Sequence, residues 1–366
     1  MEKVKVGLVG CGVIANGSYG PGIKALAKAE FVAVCDSVPG RAASLAAKLG
    51  VPQVYTDLDE MLARSGIDLL VDTTNIQSHY EVNLKALRAG KHVYSEKSMA
   101  GSVAEATHLI DEARQRSLKL GAAACTMLDP INQKIAQLLR EGAIGKVSWL
   151  LSHNSHGGPG SWPDEEWETD PTWFYKQGAG PVLDMGVYGL HTVTGLLGPA
   201  KSMAVMSGIS WPQRVVRAGP YRGKVIDVEV DDNTLLLLDF GDARFGFVDS
   251  TFCVRATREQ TSQPAMQIFG SDGTIAVNGI YGSLDKLSLW RDDREREVYG
   301  WTDLSFPKDT KPWGLPAGVE NLIDCILDPA QPVVASAEHA RHVIEIMTRC
   351  YEAAREGKTI KLETTF

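Results

Sequence analysis

The stretch that decides the fold is KVGLVGCGVIA, residues 5–15. An apolar run that begins at residue 4 leads into Gly10, Gly12 and Ala15, which follow the pattern GxGxxA. Glycines at the first two positions allow a tight turn and a close approach of the backbone to a pyrophosphate, and a small third residue lets the next helix pack on the strand. The order of strand, glycine-rich turn and helix therefore predicts a dinucleotide-binding domain.

A carboxylate further along the chain indicates which dinucleotide is bound. Asp36 ends the second apolar run, FVAVCD, 21 residues beyond Ala15. A carboxylate there can accept hydrogen bonds from both hydroxyls of the adenosine ribose and would repel the 2′-phosphate of NADP. We therefore expect NAD as the cofactor. NADP stays open as an alternative, because Arg41 is able to pair with a phosphate.

Short apolar runs alternate with helical segments throughout the N-terminal third of the chain. The runs KVGLVG, FVAVCD, LLVDTT and HVYSE are typical of a parallel sheet that helices cover on both faces. NGSYGPG, residues 16–22, combines Gly and Pro where the first helix should run, so we expect that helix to be kinked or delayed. The sequence predicts an α/β N-terminal domain of Rossmann type over residues 1–121.

The pattern changes in the rest of the chain. Strand-like segments occur there at 146–154, 200–210, 232–240, 243–252, 265–270 and 284–290. The turn sequences FGDAR, 240–244, and GSDGT, 270–274, join neighbouring strands and indicate hairpins. We expect one helix near 130–141 and another near 336–356. The sequence thus predicts an α+β C-terminal domain, 122–366, with a large, open, mostly antiparallel sheet.

Composition and charge narrow the function classes. The 366 residues exceed the usual size of a single core, so two domains are expected. Hydrophobic residues make up 44% of the chain and charged residues 22%, which is ordinary for a globular protein. The formal net charge of −8 is not typical of a nucleic-acid-binding protein, and the N-terminal apolar run is too short to span a membrane. We expect a small-molecule partner, with neither nucleic acid nor membrane bound.

The six cysteines are scattered along the chain and show no CxxC spacing. They stand at positions 11, 35, 125, 253, 325 and 350. This distribution indicates free thiols in a reducing cytoplasm, not a disulfide framework or a zinc site. His153 and His156, with Asp184 and His191, are residue types that bind metals, but their spacing fixes no coordination. We therefore expect a cytoplasmic protein without a metal.

A second polar stretch is DMGVYGLH, residues 184–191. Pro181 before it and a Gly-Pro pair after it delimit a helix. At about 100° per residue, Asp184, Tyr188 and His191 lie on the same face of that helix. The residues alone leave two interpretations open, a polar stripe on a partly exposed helix and a functional face.

The chain resembles the glucose–fructose oxidoreductase, inositol dehydrogenase and rhizopine catabolism (Gfo/Idh/MocA) family. Three stretches carry the resemblance: TTNIQSHYEVNLKALRAGKHVYSEKSMA (73–100), GCGVIA and GAGPVLDMGVYGLH. It extends over essentially the whole chain and implies an NAD(P)-dependent oxidoreductase that transfers hydride between nicotinamide and a sugar, polyol or related cyclic alcohol. It also implies a homodimer or homotetramer that buries one face of the C-terminal sheet.

The resemblance assigns the cofactor contacts to residues of the first domain. The family's glycine-rich turn and the segment beside the dinucleotide match Gly10, Gly12, Val13, Ile14, Thr73, Thr74, Asn75 and His79. Its EKP motif matches Glu96 and Lys97, with Ser98 in place of a proline that often forms a cis peptide. In the family the glutamate is associated with the nicotinamide ribose, and the lysine reaches the reacting carbon.

The resemblance also assigns the catalytic groups. Asp184 and Gly186 match the family's D-x-G-x-[HY] motif, and Tyr188 takes its proton-transfer position. Because an unperturbed tyrosine has a pKa of about 10, we expect the Lys97 ammonium and the positive nicotinamide to favour the tyrosinate. Lys97 is the alternative acid or base, and Asp184 is expected to orient the sugar. We expect Lys97, Asp184 and Tyr188 to meet next to the nicotinamide.

Two interpretations remain open for several aromatic and histidine side chains. WPDEEWETDPTWFY, residues 162–175, precedes the helix of the motif, and sugars present both apolar faces and hydroxyls. The candidate substrate contacts are Trp162, Trp167, Trp173, Tyr175, His156 and His191. Loop tryptophans equally serve packing or subunit contacts, and His191 equally fits a hydrogen bond in the domain interface.

Two other functions stay open from the sequence. One is a redox-assisted eliminase or glycosidase, in which tightly held NAD oxidises a sugar carbon only transiently. The other is a non-catalytic, dinucleotide-binding regulator. The presence of both Lys97 and Tyr188 argues against the regulator.

Overall fold

The computed structural model describes residues 3–162, 169–255, 264–278, 284, 287–293 and 297–366. The chain divides into two compact units. The first unit consists of Met1–Asp129, Trp313–Glu345 and Thr365–Phe366, and the second of Pro130–Pro312 and Ile346–Thr364. Each unit is built around its own large sheet.

The sheet of the first unit has six parallel strands in the order β3-β2-β1-β4-β5-β6. They are β1 (Val4–Val9), β2 (Ala29–Cys35), β3 (Gln53–Tyr55), β4 (Leu69–Asp72), β5 (His92–Ser95) and β6 (Leu120–Ala122). Leu8, Val71 and Tyr94 have no exposed surface, as expected for strands covered on both faces. The strand order reverses at β1, so the loops after β1 and β4 border a crevice at the carboxyl edge. The predicted doubly wound parallel sheet is confirmed.

Helices connect these strands. They are α1 (Gly20–Ala25), α2 (Pro39–Leu49), α3 (Leu58–Arg64), α4 (Ile76–Arg88) and α5 (Val103–Gln115). A π-helical turn, Ala15–Tyr19, precedes α1, so the first helix is irregular inside the NGSYGPG stretch. Asn75 caps α4 by accepting a hydrogen bond from the Ser78 N–H, and Ser102 caps α5 in the same way. These caps fix where the two helices begin.

The first unit also takes up a late segment of the chain. The helix Ala317–Leu327 packs against β1, β5 and β6, and its Val319 and Leu322 are buried in the core of this unit. The first unit extends to Asp129 and also includes Trp313–Glu345, to which this helix belongs. The sequence predicted a single boundary after residue 121. The difference arises because a helix distant in sequence supplies the apolar surface that covers the end of the sheet, which local patterns do not reveal.

The second unit contains a nine-stranded sheet in the order β16-β15-β14-β13-β7-β12-β11-β8-β17. The strands of this unit are β7 (Val147–His153), β8 (Ser202–Gly208), β9 (Gln213–Val215), β10 (Val225–Asp227), β11 (Asn233–Gly241), β12 (Arg244–Thr251), β13 (Met266–Gly270), β14 (Gly273–Val277), β15 (Leu287–Asp293), β16 (Val298–Asp303) and β17 (Ile360–Lys361). β7 and β12 pair in parallel, and the other neighbours in the large sheet pair antiparallel. β9 and β10 form a separate antiparallel pair. The predicted mostly antiparallel sheet is confirmed.

The six strands predicted in this unit form within a few residues of their expected positions. The residue patterns of the sequence did not predict β9, β10, β14, β16 and β17. Three of these have only two or three residues, and β16 is exposed at nearly every position. Such segments lack the alternation of apolar and polar residues on which strand prediction depends.

One face of the large sheet is covered by a helix. The second unit contains α6 (Pro130–Arg140), a π-helical turn at Val182–Gly186 and α7 (Val187–Leu197). Of these, α7 packs against β7 and β12. A Cβ atom on Gly189 would collide with the Asn154 amide, and one on Gly246 would lie 2.9 Å from Val193 Cγ1, so small residues let the helix approach the strands. The opposite face exposes Trp149 and Phe245.

The two helices predicted near 130–141 and 336–356 both form. The first is α6, and the second is the long helix Ala337–Glu356 close to the end of the chain. A helix that spans a bilayer needs about 20 mostly apolar residues, and within the described ranges no helix meets this requirement.

Candidate active site

The glycine-rich turn follows β1 at the carboxyl edge of the parallel sheet. Gly10 has a φ of +88°, and a Cβ atom there would lie 2.6 Å from the backbone of Thr73, so another residue would be both strained and blocked. A Cβ atom on Gly12 would meet no atom within 4 Å. Val13 and Ile14 beside it are exposed. The turn therefore presents backbone to open space, which fits a bound pyrophosphate.

Asp36 lies next to this turn, after β2. Its Oδ2 accepts a hydrogen bond from the Cys11 N–H at 2.8 Å, and its Oδ1 accepts one from the Val38 N–H at 2.8 Å. These two bonds fix the plane of the carboxylate, and each oxygen retains a second lone pair for a ribose hydroxyl. Arg41 is exposed. Burial and the charge of Asp36 raise the pKa of the Cys11 thiol, and the positive charge of Arg41 opposes this rise.

The segment after β4 is organised by a buried carboxyl group that sequence analysis did not single out. Asp72 Oδ1 accepts hydrogen bonds from the Thr74 N–H at 2.9 Å and from the Thr74 hydroxyl at 2.6 Å. The Thr73 hydroxyl donates to the carbonyls of Val9 and Gly10 at 3.0 and 2.8 Å. These bonds hold the predicted cofactor segment against the glycine-rich turn. Burial raises the pKa of Asp72.

His79 joins this segment to the strand-end segment that carries Lys97. Its Nδ1 lies 2.7 Å from the Ser98 carbonyl oxygen, and its Nε2 lies 3.1 Å from the Thr74 carbonyl oxygen. The side chain is buried. Because both ring nitrogens face backbone carbonyls, His79 acts on the predicted cofactor site by fixing the two segments it joins.

Glu96 and Lys97 follow β5 at the same edge of the sheet. Glu96 is buried, and its Oε1 accepts a hydrogen bond from the Tyr19 hydroxyl at 2.9 Å. Its Oε2 accepts one from the backbone N–H of Lys97 at 2.9 Å. The Lys97 side chain is half-buried, and the peptide bond between Lys97 and Ser98 is cis. The glutamate therefore fixes the backbone from which the lysine side chain projects.

The helix predicted around DMGVYGLH forms in the second unit, but its first part is π-helical. A π-helical turn departs from 100° per residue, so the predicted common face does not follow from spacing alone. Asp184 and Tyr188 are half-buried, whereas His191 is 3% exposed. His191 Nδ1 lies 2.9 Å from the Val187 carbonyl oxygen of its own helix. The histidine thus belongs to a more buried layer than the aspartate and the tyrosine.

His156 lies beside Asp184. Its Nε2 is 3.5 Å from Asp184 Oδ2, and each side chain is 22% exposed. Its Nδ1 accepts a hydrogen bond from the Gly158 N–H at 3.0 Å. The imidazole ring stacks on Trp162, with the ring centroids 5.4 Å apart, and contacts Phe252 on a tilted ring plane. The structure therefore brings together three of the sequence candidates, His156, Asp184 and Trp162.

The other aromatic candidates occupy different environments. Trp173 is 52% exposed and stacks on Phe174. Tyr175 has no exposed surface, and its hydroxyl donates to the Pro159 carbonyl at 2.7 Å. Tyr175 therefore serves the packing of this loop, because a fully buried ring offers no surface to a substrate. Trp167 lies outside the described residues.

Comparison with known protein families agrees with both halves of this arrangement. Residues 4–123 match the oxidoreductase family with an NAD-binding Rossmann fold, and residues 132–276 match the GFO/IDH/MocA C-terminal domain. The chain belongs to the GFO/IDH/MocA oxidoreductase family. The resemblance inferred from the sequence motifs is confirmed.

Some relatives of this GFO/IDH/MocA protein match over nearly their full lengths. A D-apiose dehydrogenase from Paraburkholderia graminis is 22% identical over 100% of this chain and 91% of its own. A myo-inositol 2-dehydrogenase from Thermotoga maritima is 21% identical over 98% of this chain and 99% of its own. The crystal structure of an NAD-binding oxidoreductase from Klebsiella pneumoniae superposes with a TM-score of 0.81 and 21% identity, covering 99% of both chains. The protein is an oxidoreductase.

NAD is the cofactor of this GFO/IDH/MocA fold. The geometry of the first unit fits it, since Gly12 leaves room for the pyrophosphate and Asp36 is fixed where the adenosine ribose of such a fold lies. Two residues of this region were not predicted from the sequence: Tyr19, which bonds to Glu96, and Asp72, which bonds to Thr74. The signals were present in the sequence as the irregular NGSYGPG stretch and as the acidic end of LLVDTT.

Proposed function

We propose that the protein is an NAD-dependent dehydrogenase that oxidises a CH–OH group of a sugar, polyol or related cyclic alcohol, or reduces the corresponding carbonyl. The observation that carries the proposal is the placement of Lys97 after β5, held by Glu96 at the same sheet edge as the glycine-rich turn. The role we propose for this lysine is to supply a cation beside the nicotinamide end of the cofactor. The dehydrogenase names of relatives from Paraburkholderia graminis and Thermotoga maritima support the class of substrate.

The proposed cofactor preference is NAD over NADP. The carboxylate of Asp36 favours a free 2′-hydroxyl and repels a 2′-phosphate. Two backbone N–H groups hold that carboxylate in place, so it does not swing away from a phosphate without losing both bonds. The exposed Arg41 supports NADP as the alternative.

The proposed chemistry divides among three side chains. NAD supplies the hydride acceptor when it is bound. Tyr188 removes the hydroxyl proton as general base, and Lys97 polarises the alcohol oxygen and favours the tyrosinate. Asp184 accepts a hydrogen bond from a neighbouring hydroxyl and so orients the substrate. Lys97, Asp184 and Tyr188 are proposed to act on the same alcohol.

The experiment that tests this function is a substrate panel. The protein is incubated with NAD and with D-apiose, D-xylose, myo-inositol and further pentoses and cyclitols, while the absorbance of NADH is followed. Stoichiometric NADH and an oxidised sugar support the dehydrogenase. Cleavage of a glycoside or loss of water without net NADH would instead support the redox-assisted eliminase or glycosidase. Tight NAD binding without any turnover would support the regulator.

We also propose that the protein forms a homodimer through the open face of the large sheet, with a tetramer as the alternative. This open face includes Trp149, Phe245 and Phe269 as laterally paired neighbours on three strands, with Leu237 on the next. The rings of Trp149 and Phe269 stack with their centroids 4.4 Å apart, which gives a flat apolar surface. Such a surface is costly to expose, and a second copy of the same flat sheet would cover it.

The cysteines support a reducing compartment, for which we propose the cytoplasm. All six thiols are free. Burial raises the pKa of Cys11 and of Cys350 to about 12, so neither side chain is a reactive thiolate near neutral pH.

A further inference from the structure

We propose that His156 is a positioning residue for Asp184. In this role the imidazole presents its Nε2–H to a carboxylate oxygen of Asp184 and so fixes the orientation of that carboxylate. The inference rests on the proposed function, because Asp184 is taken to bind the alcohol. It goes beyond that function by assigning one tautomer and a positioning role to His156, which lies in the loop after β7.

The tautomer follows from the partner of the other ring nitrogen. The Gly158 N–H donates to His156 Nδ1 at 3.0 Å, so Nδ1 must offer its lone pair. The proton of the neutral ring then resides on Nε2, the nitrogen that lies 3.5 Å from Asp184 Oδ2. This distance is longer than the roughly 2.7–3.2 Å of a formed hydrogen bond, and hydrogen bonds in active sites often shorten only when substrate binds. The imidazole therefore faces Asp184 as a donor.

The Gly158 N–H is itself fixed. Gly158 has a φ of +85°, and a Cβ atom there would lie 2.5 Å from the Tyr175 hydroxyl and 3.1 Å from Phe252. The buried Tyr175 hydroxyl donates to the Pro159 carbonyl, which holds the next peptide. The loop thus delivers one particular N–H to the histidine ring. This N–H occupies the lone pair of Nδ1, so only Nε2 of His156 faces Asp184.

A buried arginine holds both sides of the loop. Arg214 on β9 donates to the carbonyls of Gly157 and Phe252 at 3.0 and 2.8 Å, and it pairs with Asp232 at 2.7 Å. Gly157 directly follows His156, and Phe252 contacts the imidazole ring. This explains the place of the short β9–β10 pair, which sequence patterns did not reveal. The strand pair carries the arginine that holds the loop residues around the His156 ring.

The first test reads the tautomer directly and needs no substrate. The full-length protein is labelled with ¹⁵N-histidine, and two-bond ¹H–¹⁵N correlations are recorded near neutral pH. The His156 signals are identified by their loss in His156→Gln. We expect an unprotonated Nδ1 and a protonated Nε2. A ring protonated on Nδ1, alone or together with Nε2, would overturn the proposal.

The second test compares two replacements of His156. His156→Gln places an amide N–H near the position of Nε2, whereas His156→Phe keeps the ring stacking on Trp162 and Phe252 but removes the donor. With the sugar or polyol that gives NADH in the panel, His156→Phe should lower kcat/KM about 10- to 100-fold through KM, the usual range for a hydrogen bond to a charged group. His156→Gln should recover most of that loss, and neither change should alter the dissociation constant of NAD.

The double variant His156→Phe/Asp184→Asn separates positioning from packing. If His156 acts through Asp184, His156→Phe adds little loss to a protein that already carries Asp184→Asn, because the carboxylate that the histidine positions is already gone. Additive losses would show that His156 does not act through Asp184, and a His156→Phe protein with the kcat/KM of the wild type would show that the ring serves only packing. If no sugar in the panel is turned over, the proposed function fails, while the NMR result still decides the tautomer.

Discussion

The hydroxyl of Tyr19 donates a hydrogen bond of 2.9 Å to Glu96 Oε1, across 77 residues of sequence. Both residues are buried. The other carboxylate oxygen of Glu96 accepts the Lys97 N–H. The helix that follows the glycine-rich turn is thereby connected to the backbone that carries the proposed catalytic lysine. Burial and the neighbouring Glu96 raise the pKa of Tyr19 well above its ordinary value, so its hydroxyl keeps its proton.

Tyr19→Phe is expected to destabilise the protein by about 1–3 kcal/mol, because it leaves a buried carboxylate oxygen without its donor. Urea unfolding with and without NAD measures this change. We also expect weaker NAD binding by calorimetry, since the lysine segment is less well fixed. Tyr299→Phe is the matched control, because Tyr299 is 79% exposed. A Tyr19→Phe protein as stable as the control would contradict the structural role of this bond.

Asp36→Asn should reduce the preference for NAD over NADP. The substitution removes the charge that repels a 2′-phosphate and weakens the hydrogen bonds to the ribose, while leaving one acceptor for the backbone. We expect the ratio of the two dissociation constants to shift about 10- to 100-fold towards NADP, the range for hydrogen bonds that involve a charged group. Calorimetric titration with both cofactors measures the ratio. An unchanged ratio would show that the Asp36 carboxylate does not determine the selectivity for NAD.

The sequence predicted those parts of the fold that depend on local patterns. The glycine-rich turn, Asp36 and the parallel strands were predicted because their residue types and spacing repeat a known physical solution. The same holds for the alternating strands β11 and β12, whose hairpin follows from FGDAR. In each case the decisive neighbours are within a few tens of residues.

The sequence did not predict relationships between distant residues. Tyr19 lies in the π-helical turn before α1, so the spacing of a regular helix does not predict that it meets Glu96. Residue types alone predicted His156 as a substrate contact. They did not predict its orientation, because the loop conformation places the Gly158 N–H that donates to its Nδ1. The second π-helical turn changed the geometry around Asp184 in the same way. Such turns leave no periodic signal.

Asp72→Asn should make stability less dependent on pH. Burial raises the pKa of Asp72, so in the folded protein this carboxyl group binds a proton more tightly than in the unfolded chain. Its contribution to stability is complete below the ordinary value of 3.8 and is lost as pH rises through the folded pKa. The asparagine side chain would keep an acceptor for Thr74 without ionising.

The measurement for Asp72 is the free energy of unfolding from about pH 4 to pH 7. We expect the difference between Asp72→Asn and the wild type to move in favour of the variant as pH rises. Asp68→Asn serves as the control, because Asp68 is exposed in the same unit. A difference that is constant over this range would mean that Asp72 does not carry the pH dependence.

Phe245→Asp should disrupt the proposed dimer. Phe245 is 43% exposed on the open face, next to Trp149, and a carboxylate there would have to be buried against the partner's sheet. Light scattering over a range of concentrations should show a shift towards monomer. Val225→Asp is the control, because Val225 is similarly exposed but lies on the separate strand β10. A wild-type protein that stays monomeric at all concentrations would contradict the interface, though not the fold.

Tyr188→Phe should lower turnover about 10²- to 10⁴-fold, the usual worth of general acid–base catalysis. The ring remains, so the packing of α7 and the affinity for NAD should change little. Lys97→Ala should be at least as damaging, because it removes both the charge that favours tyrosinate and a substrate contact. Asp184→Asn should act mainly on KM for the sugar, since its proposed role is to orient a hydroxyl.

The outcome for Tyr188 also distinguishes among the candidate bases. If Tyr188→Phe kept turnover near that of the wild type on a verified substrate, proton transfer would move to Lys97 or His191. Lys97 would then be favoured, because His191 is buried and its Nδ1 is bonded to the Val187 carbonyl. His191→Gln decides between them. A loss of turnover in that variant with unchanged stability would assign the proton to the histidine, and a retained turnover would assign it to the lysine.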